Sequence, residues 1–253
     1  VIDNNGIKSY KPFPKVKAKP CIFEYIYFAR PDSIIEGKNV YDCRKKMGKQ
    51  LAKELKTDAD IVIPVPDSGV PAALGYAEAS NIPYNLGIIR NHYVGRTFIE
   101  PTQTIRQLGI KLKHNTNKIL IENKKVVLID DSIVRGTTAI KIVEMMRNAG
   151  ALEVHMRISS PPIKFPDFYG IDTPNPSELI ASSKSVEEIK NLLKLDSLHF
   201  LSLDGLYKSM GHECRDNINP QYTDHCFTGE YPTKLTDRDE GALTNQLSLL
   251  NDQ

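Results

Sequence analysis

The chain has 253 residues, 40% of them apolar and 25% charged, a composition typical of a globular protein with a substantial core. Its 33 basic and 31 acidic residues nearly balance, so charge gives no reason to expect a nucleic-acid partner or an anionic membrane surface. The sequence shows no apolar run of roughly 20 residues and no signal-peptide layout, which argues against a membrane span and favours a cytoplasmic protein. It has no CxxC pair, which argues against a disulfide framework and a structural zinc site.

Up to residue 89, the sequence predicts a hairpin, a linker, a helix and then a strand–helix–strand unit. The hairpin turns at Asn5-Gly6, and the Pro- and Lys-rich segment 11–20 is a linker. Apolar residues recur at helical spacing from Val40 to Leu51 and predict an amphipathic helix. The apolar runs 61–66 and 84–89 flank the helix-prone segment 67–80, which predicts a βαβ unit.

The rest of the chain continues this alternation after a polar insertion. Arg90 to Asn117 has little apolar periodicity, which is typical of a functional lid or a disordered loop. The later predicted elements are a strand at 125–130, a helix from Thr137 to Ala149, a strand at 152–158, a helix at 185–194 and a strand at 198–203. The order predicts an α/β protein whose mainly parallel twisted sheet has helices on both faces.

Two adjacent acids end the most hydrophobic predicted strand, in VVLIDDSIVRGTT, Val126 to Thr138. Gly136 and the two threonines after it open a helix, where unpaired backbone N–H groups suit a phosphate. Asp130 and Asp131 can accept hydrogen bonds from sugar hydroxyls and can hold Mg²⁺. The segment therefore predicts a site for a phosphorylated sugar at the carboxyl end of a parallel strand.

The sequence lacks the motifs of two other kinds of phosphate-binding loop. The sequence contains neither GxxxxGK[ST] nor GxGxxG, so it predicts neither a P-loop nor a dinucleotide-binding loop. A structural turn with solvated acids is the remaining alternative from the residues alone.

The same stretch resembles the phosphoribosyl pyrophosphate (PRPP) signature of type I phosphoribosyltransferases. Segments around it resemble the glutamine PRPP amidotransferase (amidophosphoribosyltransferase) family more specifically, from about Val1 to about Pro232. They are CIFEYIYFARPDS (21–33), VPDSGVPAALGYA (65–77), YVGRTFIEPTQ (93–103) and YGIDTP (169–174). The resemblance implies the type I phosphoribosyltransferase fold, with a parallel sheet and a long flexible lid loop.

The resemblance also implies a reaction and a site. The family's enzymes transfer ammonia, released from glutamine, to C1 of PRPP, giving 5-phosphoribosylamine and pyrophosphate in the first committed step of de novo purine biosynthesis. The implied catalytic residues are Arg96, Asp130 and Asp131, and the implied Mg²⁺ ligands are Ser68, Asp130 and Asp131. The implied PRPP-binding residues are Asp67, Ser68, Gly69, Asp130, Asp131, Ser132, Val134, Arg135, Gly136, Thr137 and Thr138.

The implied lid is Asn91 to about Lys113, which would close over PRPP, bring Arg96 towards the diphosphate and exclude water. His92 and His114 stand where the family more often has arginine and leucine. The implied partners are PRPP, ammonia, purine nucleotides as feedback inhibitors and further copies of the chain in a homo-oligomer, with no nucleic acid and no membrane.

The family's N-terminal glutaminase domain, with its nucleophilic first cysteine, has no counterpart in this sequence. Residue 1 is Val1, and the first cysteine is Cys21. We therefore expect residues 1–19 to be the end of a glutaminase domain and its linker, 20–228 the phosphoribosyltransferase domain and 229–253 a C-terminal tail. We expect such a chain to use ammonia but not glutamine.

One branch of the family binds an iron–sulfur cluster through four cysteines. Cys21 and Cys226 occupy the first and last of those positions, while Asp167 and Thr223 stand at the other two. Because neither a carboxylate nor a hydroxyl is a soft sulfur ligand, we predict no iron–sulfur cluster.

Two other classes of function share the PRPP signature. A non-catalytic PRPP-binding regulator would normally carry a DNA-binding element and a basic face, which the sequence lacks. A nucleobase phosphoribosyltransferase would share the loop but not YVGRTFIEPTQ.

Overall fold

A computed structural model of the chain describes residues 1–91, 114–170 and 175–235. The elements that precede the central sheet are short, apart from one helix. In chain order they are β1 (Ile2–Asp3), β2 (Gly6–Ile7), a π-helical turn (Glu24–Phe28), β3 (Ile34–Ile35), β4 (Lys38–Asn39) and α1 (Val40–Glu54). The predicted hairpin is confirmed by the antiparallel pairing of β1 with β2. Helix α1 is confirmed as well, and the Asn39 side chain caps it by accepting from the Asp42 backbone N–H.

The next elements build the sheet and its covering helices. They are β5 (Ile61–Pro64), α2 (Val70–Ser80), β6 (Ile88–Arg90), β7 (His114–Thr116), α3 (Lys118–Ile121), β8 (Lys125–Asp130), α4 (Thr137–Asn148) and β9 (Glu153–Ile158). A 3₁₀ turn (Pro176–Glu178) then precedes α5 (Ile180–Ser183), α6 (Val186–Leu192), β10 (Ser197–Phe200), α7 (Leu203–Ser209) and α8 (His225–Thr228).

The central sheet has four parallel strands in the order β10-β9-β8-β5. Strand β8 lies in the middle, with Val126 opposite Ile61 on one side and opposite Val154 on the other. Its residues Val126 to Ile129 are completely buried, as expected for a strand covered on both faces. The fold class predicted from the strand–helix alternation is therefore confirmed.

Helices pack on both faces of the sheet, and alternate strand residues contribute to two separate hydrophobic clusters. Val62 and Val127 pack in one cluster with Met47 of α1 and other residues of α1 and α2. Leu128 packs in the other cluster with Ile142 of α4. This two-sided burial follows from the period of two along each strand.

The run 84–89, predicted as the second strand of the βαβ unit, does not form one continuous strand of the central sheet. Tyr84 makes only an isolated parallel bridge to Val62, while β6 pairs antiparallel with β7 outside the central sheet. The Gly87 N–H donates to the Asn85 carbonyl at 3.1 Å, so the chain turns between these two contacts. A Cβ on Gly87 would lie 2.3 Å from Cδ1 of Ile63, which shows how closely this turn passes over β5.

In the described parts of the chain, none of the helices combines the length and apolar character that crossing a bilayer requires. The boundaries that we predicted for a glutaminase remnant, a transferase domain and a tail stay predictions.

Candidate active site

A cavity of about 520 Å³ lies at the carboxyl ends of β5 and β8. The loops that follow these two strands contribute Val65, Pro66, Ser68 and the run from Asp130 to Ala139. A second group of lining side chains comes from distant parts of the chain, and we call it the hood wall. It consists of Phe23, Tyr27, Phe28, Ile163, Asp167 and Cys226. The cavity therefore lies where ligands bind in open α/β sheets.

Asp130 and Asp131 form a buried acidic pair at this edge, with exposed fractions of 8% and 5%. The Asp131 backbone N–H donates to Oδ1 of Asp130 at 2.9 Å, and the Ser132 hydroxyl donates to Oδ2 of Asp131 at 2.5 Å. Burial first, and then the neighbouring Asp131 charge, raises the pKa of Asp130 well above its usual value. A cation or a hydroxyl donor at the pair would offset these effects, so the pair is chemically suited to Mg²⁺ or to a sugar.

The predicted phosphate loop leads into α4 through a left-handed glycine. Gly136 has φ +79° and is the N-cap residue of the helix. A Cβ at this position would lie 2.9 Å from Cδ1 of Ile180, so both the backbone conformation and the available space favour glycine. Thr137 and Thr138 are exposed and line the cavity. Arg135 also lines it, and its Nε donates to Oε2 of Glu178 at 2.6 Å.

The turn after β5 supplies Ser68 to the cavity. Its neighbour Asp67 forms an ion pair with Arg90. Gly69 lets this turn approach β8, because a Cβ there would lie 2.3 Å from the Ile129 carbonyl oxygen. Among the described residues, Asp67 and Gly69 do not line the cavity, so PRPP binding by these two residues stays a prediction.

The aromatic residues of the hood wall, Phe23, Tyr27 and Phe28, were not among the predicted site residues. They flank or belong to the π-helical turn, and the ring centroids of Phe23 and Phe28 lie 5.6 Å apart. Arg44 of α1 is buried behind this turn and donates to the carbonyls of Tyr25 at 2.9 Å and Ala29 at 2.8 Å. The repeated aromatics in IFEYIYF were the available signal, but they fit a hydrophobic core equally well.

The four positions that correspond to iron–sulfur ligands in one branch of the family lie close together beside the cavity. Cys21 forms a parallel β-bridge with Thr223, while Asp167 and Cys226 both line the hood wall. Burial, with a smaller contribution from the Asp167 charge, raises the pKa of both thiols. The resemblance thus identified residues that are spatial neighbours, although they are far apart in sequence.

Their donor chemistry does not fit an iron–sulfur cluster. Oδ1 of Asp167 accepts from the Tyr169 N–H at 2.7 Å, and Oδ2 lies 2.6 Å from Nε2 of His225. The Thr223 hydroxyl donates to the Lys19 carbonyl at 2.9 Å. Two thiols remain, whereas a cubane takes four thiolates. The absence of a cluster stays a prediction, and this donor set supports it.

Two of the singled-out lid residues, His92 and Arg96, lie outside the described residues, as does most of the predicted lid. His114 lies at its far end and lines the cavity. Within the described ranges, no group of three or more His, Cys, Asp or Glu side chains could by itself hold a metal ion. Ser68, Asp130 and Asp131 do offer hard oxygen donors, which fit a Mg²⁺ ion that keeps waters and substrate phosphates as its other ligands.

Comparisons with known proteins agree with this geometry. The family model for the phosphoribosyl transferase domain matches residues 32–159. The chain is 58% identical to the amidophosphoribosyltransferase of Rhizobium etli, over 97% of this chain and 50% of that protein. It is 52% identical to the amidophosphoribosyltransferase of Bacillus subtilis, over 93% of this chain and 49% of that protein.

A solved structure shows a similarity to the same class of enzyme. The glutamine PRPP amidotransferase from B. subtilis complexed with ADP and GMP superimposes with a TM-score of 0.83 at 51% identity, over 96% of this chain and 53% of that one. The chain thus spans about half the length of the curated relatives that it matches. The predicted resemblance is confirmed: the chain belongs to the phosphoribosyl transferase domain family, and it is similar to the amidophosphoribosyltransferases.

Proposed function

We propose that this chain carries the phosphoribosyl transfer step of an amidophosphoribosyltransferase. In this reaction ammonia attacks C1 of PRPP and pyrophosphate leaves, giving 5-phosphoribosylamine, the first committed step of de novo purine biosynthesis. The observation that carries the proposal is a single cavity lined both by the buried acids Asp130 and Asp131 and by the start of α4 at Gly136. These two features suit the hydroxyls and the 5-phosphate of the same sugar phosphate.

The chemistry assigns different tasks to the two loops. Thr137 and Thr138 would hold the 5-phosphate, and the acid pair would bind the ribose hydroxyls. Ser68, Asp130 and Asp131 would hold Mg²⁺, which when bound stabilises the negative charge that develops on departing pyrophosphate. Arg96 is proposed to add positive charge at the same diphosphate. Ammonia is a neutral nucleophile, so the step does not demand a strong general base.

Pyrophosphate release tests this proposal and separates it from the two alternatives. The purified chain is assayed with PRPP and Mg²⁺, and with ammonium at alkaline pH, free purine bases or no acceptor. We expect release that depends on ammonia. Binding of PRPP without release would favour a regulator, and release only with a purine base would favour a nucleobase phosphoribosyltransferase.

The remaining parts of the proposal concern the source of ammonia, the inhibitors, the oligomeric state and the cellular location. We propose that glutamine supplies the ammonia in the complete enzyme and that purine nucleotides inhibit the reaction. The B. subtilis relative complexed with ADP and GMP supports the second point. A homo-oligomer and a cytoplasmic location are also part of the proposal, and they rest on the resemblance and the composition.

A further inference from the structure

A buried pair of polar side chains beside the cavity has no role in the transfer step described above. Asp167 and His225 have exposed side-chain fractions of 3% and 2%, and their Oδ2 and Nε2 atoms lie 2.6 Å apart. They are separated by 58 positions in the sequence. The pair therefore links the chain after β9 to helix α8.

Each side chain of the pair is fixed by further contacts. The Tyr169 N–H donates to the other oxygen of Asp167, and the rings of Tyr169 and Tyr231 lie 5.2 and 5.1 Å from the His225 ring. The Tyr231 hydroxyl in turn donates to the Pro166 carbonyl at 3.0 Å. The link thus has side-chain and main-chain components, and it holds both segments in one arrangement.

The two linked segments also form part of the hood wall. Asp167 lines the cavity itself, and the residue after His225 is the lining residue Cys226. The Cys226 carbonyl accepts from the backbone N–H groups of Lys164 and Phe165 at 2.9 and 3.1 Å. Movement of α8 relative to the 163–169 segment would therefore displace this part of the cavity wall.

One member of the pair, Asp167, stands at a position where one branch of the family binds an iron–sulfur cluster through a cysteine. Asp167 replaces one of the four thiolates, and its two oxygens contact protein donors. We propose that the buried Asp167–His225 pair is a metal-free brace. Its two positioning residues fix the hood wall and so place ammonia, which accepts the phosphoribosyl group. The acceptor-placing role rests on the proposed function, whereas the brace itself does not.

Removing one partner of a buried pair leaves the other without its contact, so the two side chains should be strongly coupled. Thermal unfolding of Asp167→Ala, His225→Ala and the double variant measures this coupling. We expect each single variant to lower the Tm by about 10 °C and the double variant to lower it by clearly less than the sum. Additive losses would overturn the brace.

His199→Ala is the control for loss of a histidine–carboxylate contact elsewhere, because Nε2 of His199 lies 3.5 Å from Oε2 of Glu54, away from the cavity. It should not change ammonia-dependent kinetics. Asp167→Ala and His225→Ala should raise the KM for ammonia at least about fivefold, while the Kd of Mg-PRPP, measured by calorimetry, changes by less than about twofold. Asp167→Asn keeps an acceptor for the Tyr169 N–H and should fall between the wild type and Asp167→Ala in both the Tm and the KM.

Three results would contradict the proposal. The first is an unchanged KM for ammonia in soluble, folded single variants, and the second is an equal loss of PRPP binding and acceptor use. The third is stoichiometric iron and sulfide in the wild-type protein after anaerobic reconstitution. If no variant and no wild-type preparation shows transfer activity, the proposed function fails, but the unfolding cycle still tests the brace independently.

Discussion

Asp130 and Asp131 lie side by side at the carboxyl end of β8, and both are buried, with exposed fractions of 8% and 5%. Burial, and then the charge of Asp131, raises the pKa of Asp130. Such a pair lowers the folding stability of the ligand-free protein and favours binding of a ligand that supplies positive charge or hydroxyl donors.

Neutralising one acid should therefore separate binding from stability. Asp130→Asn and Asp131→Asn keep the side-chain size but remove a charge, so each should weaken Mg-PRPP binding at least about tenfold. Calorimetric titration measures the Kd, and circular dichroism checks the fold. An unfolded variant, or a folded variant with the wild-type Kd, would show that the acid concerned is structural.

The raised pKa of Asp130 also predicts a pH dependence. Between the ordinary pKa of an aspartate and the raised folded value, the native state binds more protons than the unfolded state, so this group's contribution to stability falls as pH rises. The Tm of the ligand-free wild type minus that of Asp130→Asn should therefore decrease from acidic to neutral pH. A difference that is constant, or that increases with pH, would contradict the assigned shift.

At the scale of elements, hydrophobic periodicity predicted the long helices and the buried strands, and it failed where contacts between distant segments decide the structure. Helix α1 and strand β8 followed from their own patterns. The 84–89 run keeps only a parallel bridge from Tyr84 to β5 and is not one continuous strand, because the backbone turns at Gly87. Helix α8 is one turn long, too short for a periodic signal, and it is held by tertiary contacts.

Gly69, at the start of α2, lies close to β8, and its substitution tests this close approach. Gly69→Ala adds a methyl group 2.3 Å from the Ile129 carbonyl oxygen, so the turn that carries Ser68 must move. We expect a loss of about 1–3 kcal/mol in unfolding free energy together with weaker Mg-PRPP binding. Chemical denaturation measures the first and calorimetry the second, with Ser80→Ala at the other end of α2 as the control. Wild-type values for Gly69→Ala would contradict the close approach.

At the scale of the whole molecule, the fold assembles one cavity from parts of the chain that are far apart. The strand-end loops could be located from the sequence because their chemistry is local. The complete hood wall could not, since Phe23, Ile163 and Cys226 line the same cavity only through the packing of segments that are far apart in the chain. The resemblance singled out Cys21 and Cys226, but not the His225 contact that holds Asp167.

Arg44 connects α1 to the aromatic part of the hood wall, and its removal tests that connection. Arg44→Met leaves the buried carbonyl of Tyr25 and the carbonyl of Ala29 without this donor. We expect the Tm to fall by about 5 °C or more, because an unsatisfied buried polar group costs about 1–3 kcal/mol. Arg30→Met is the control, since the Arg30 side chain is 81% exposed. Equal Tm values for the two variants would contradict the role of Arg44.

Amide hydrogen exchange with and without Mg-PRPP tests directly whether the cavity at the carboxyl edge of the sheet binds PRPP. We predict slower exchange in the turn 65–69 and in the loop and helix start 130–139 when Mg-PRPP is added, and no such effect with Mg²⁺ alone. Unchanged exchange in both segments at saturating Mg-PRPP, or slower exchange confined to a different part of the chain, would show that PRPP does not bind in this cavity.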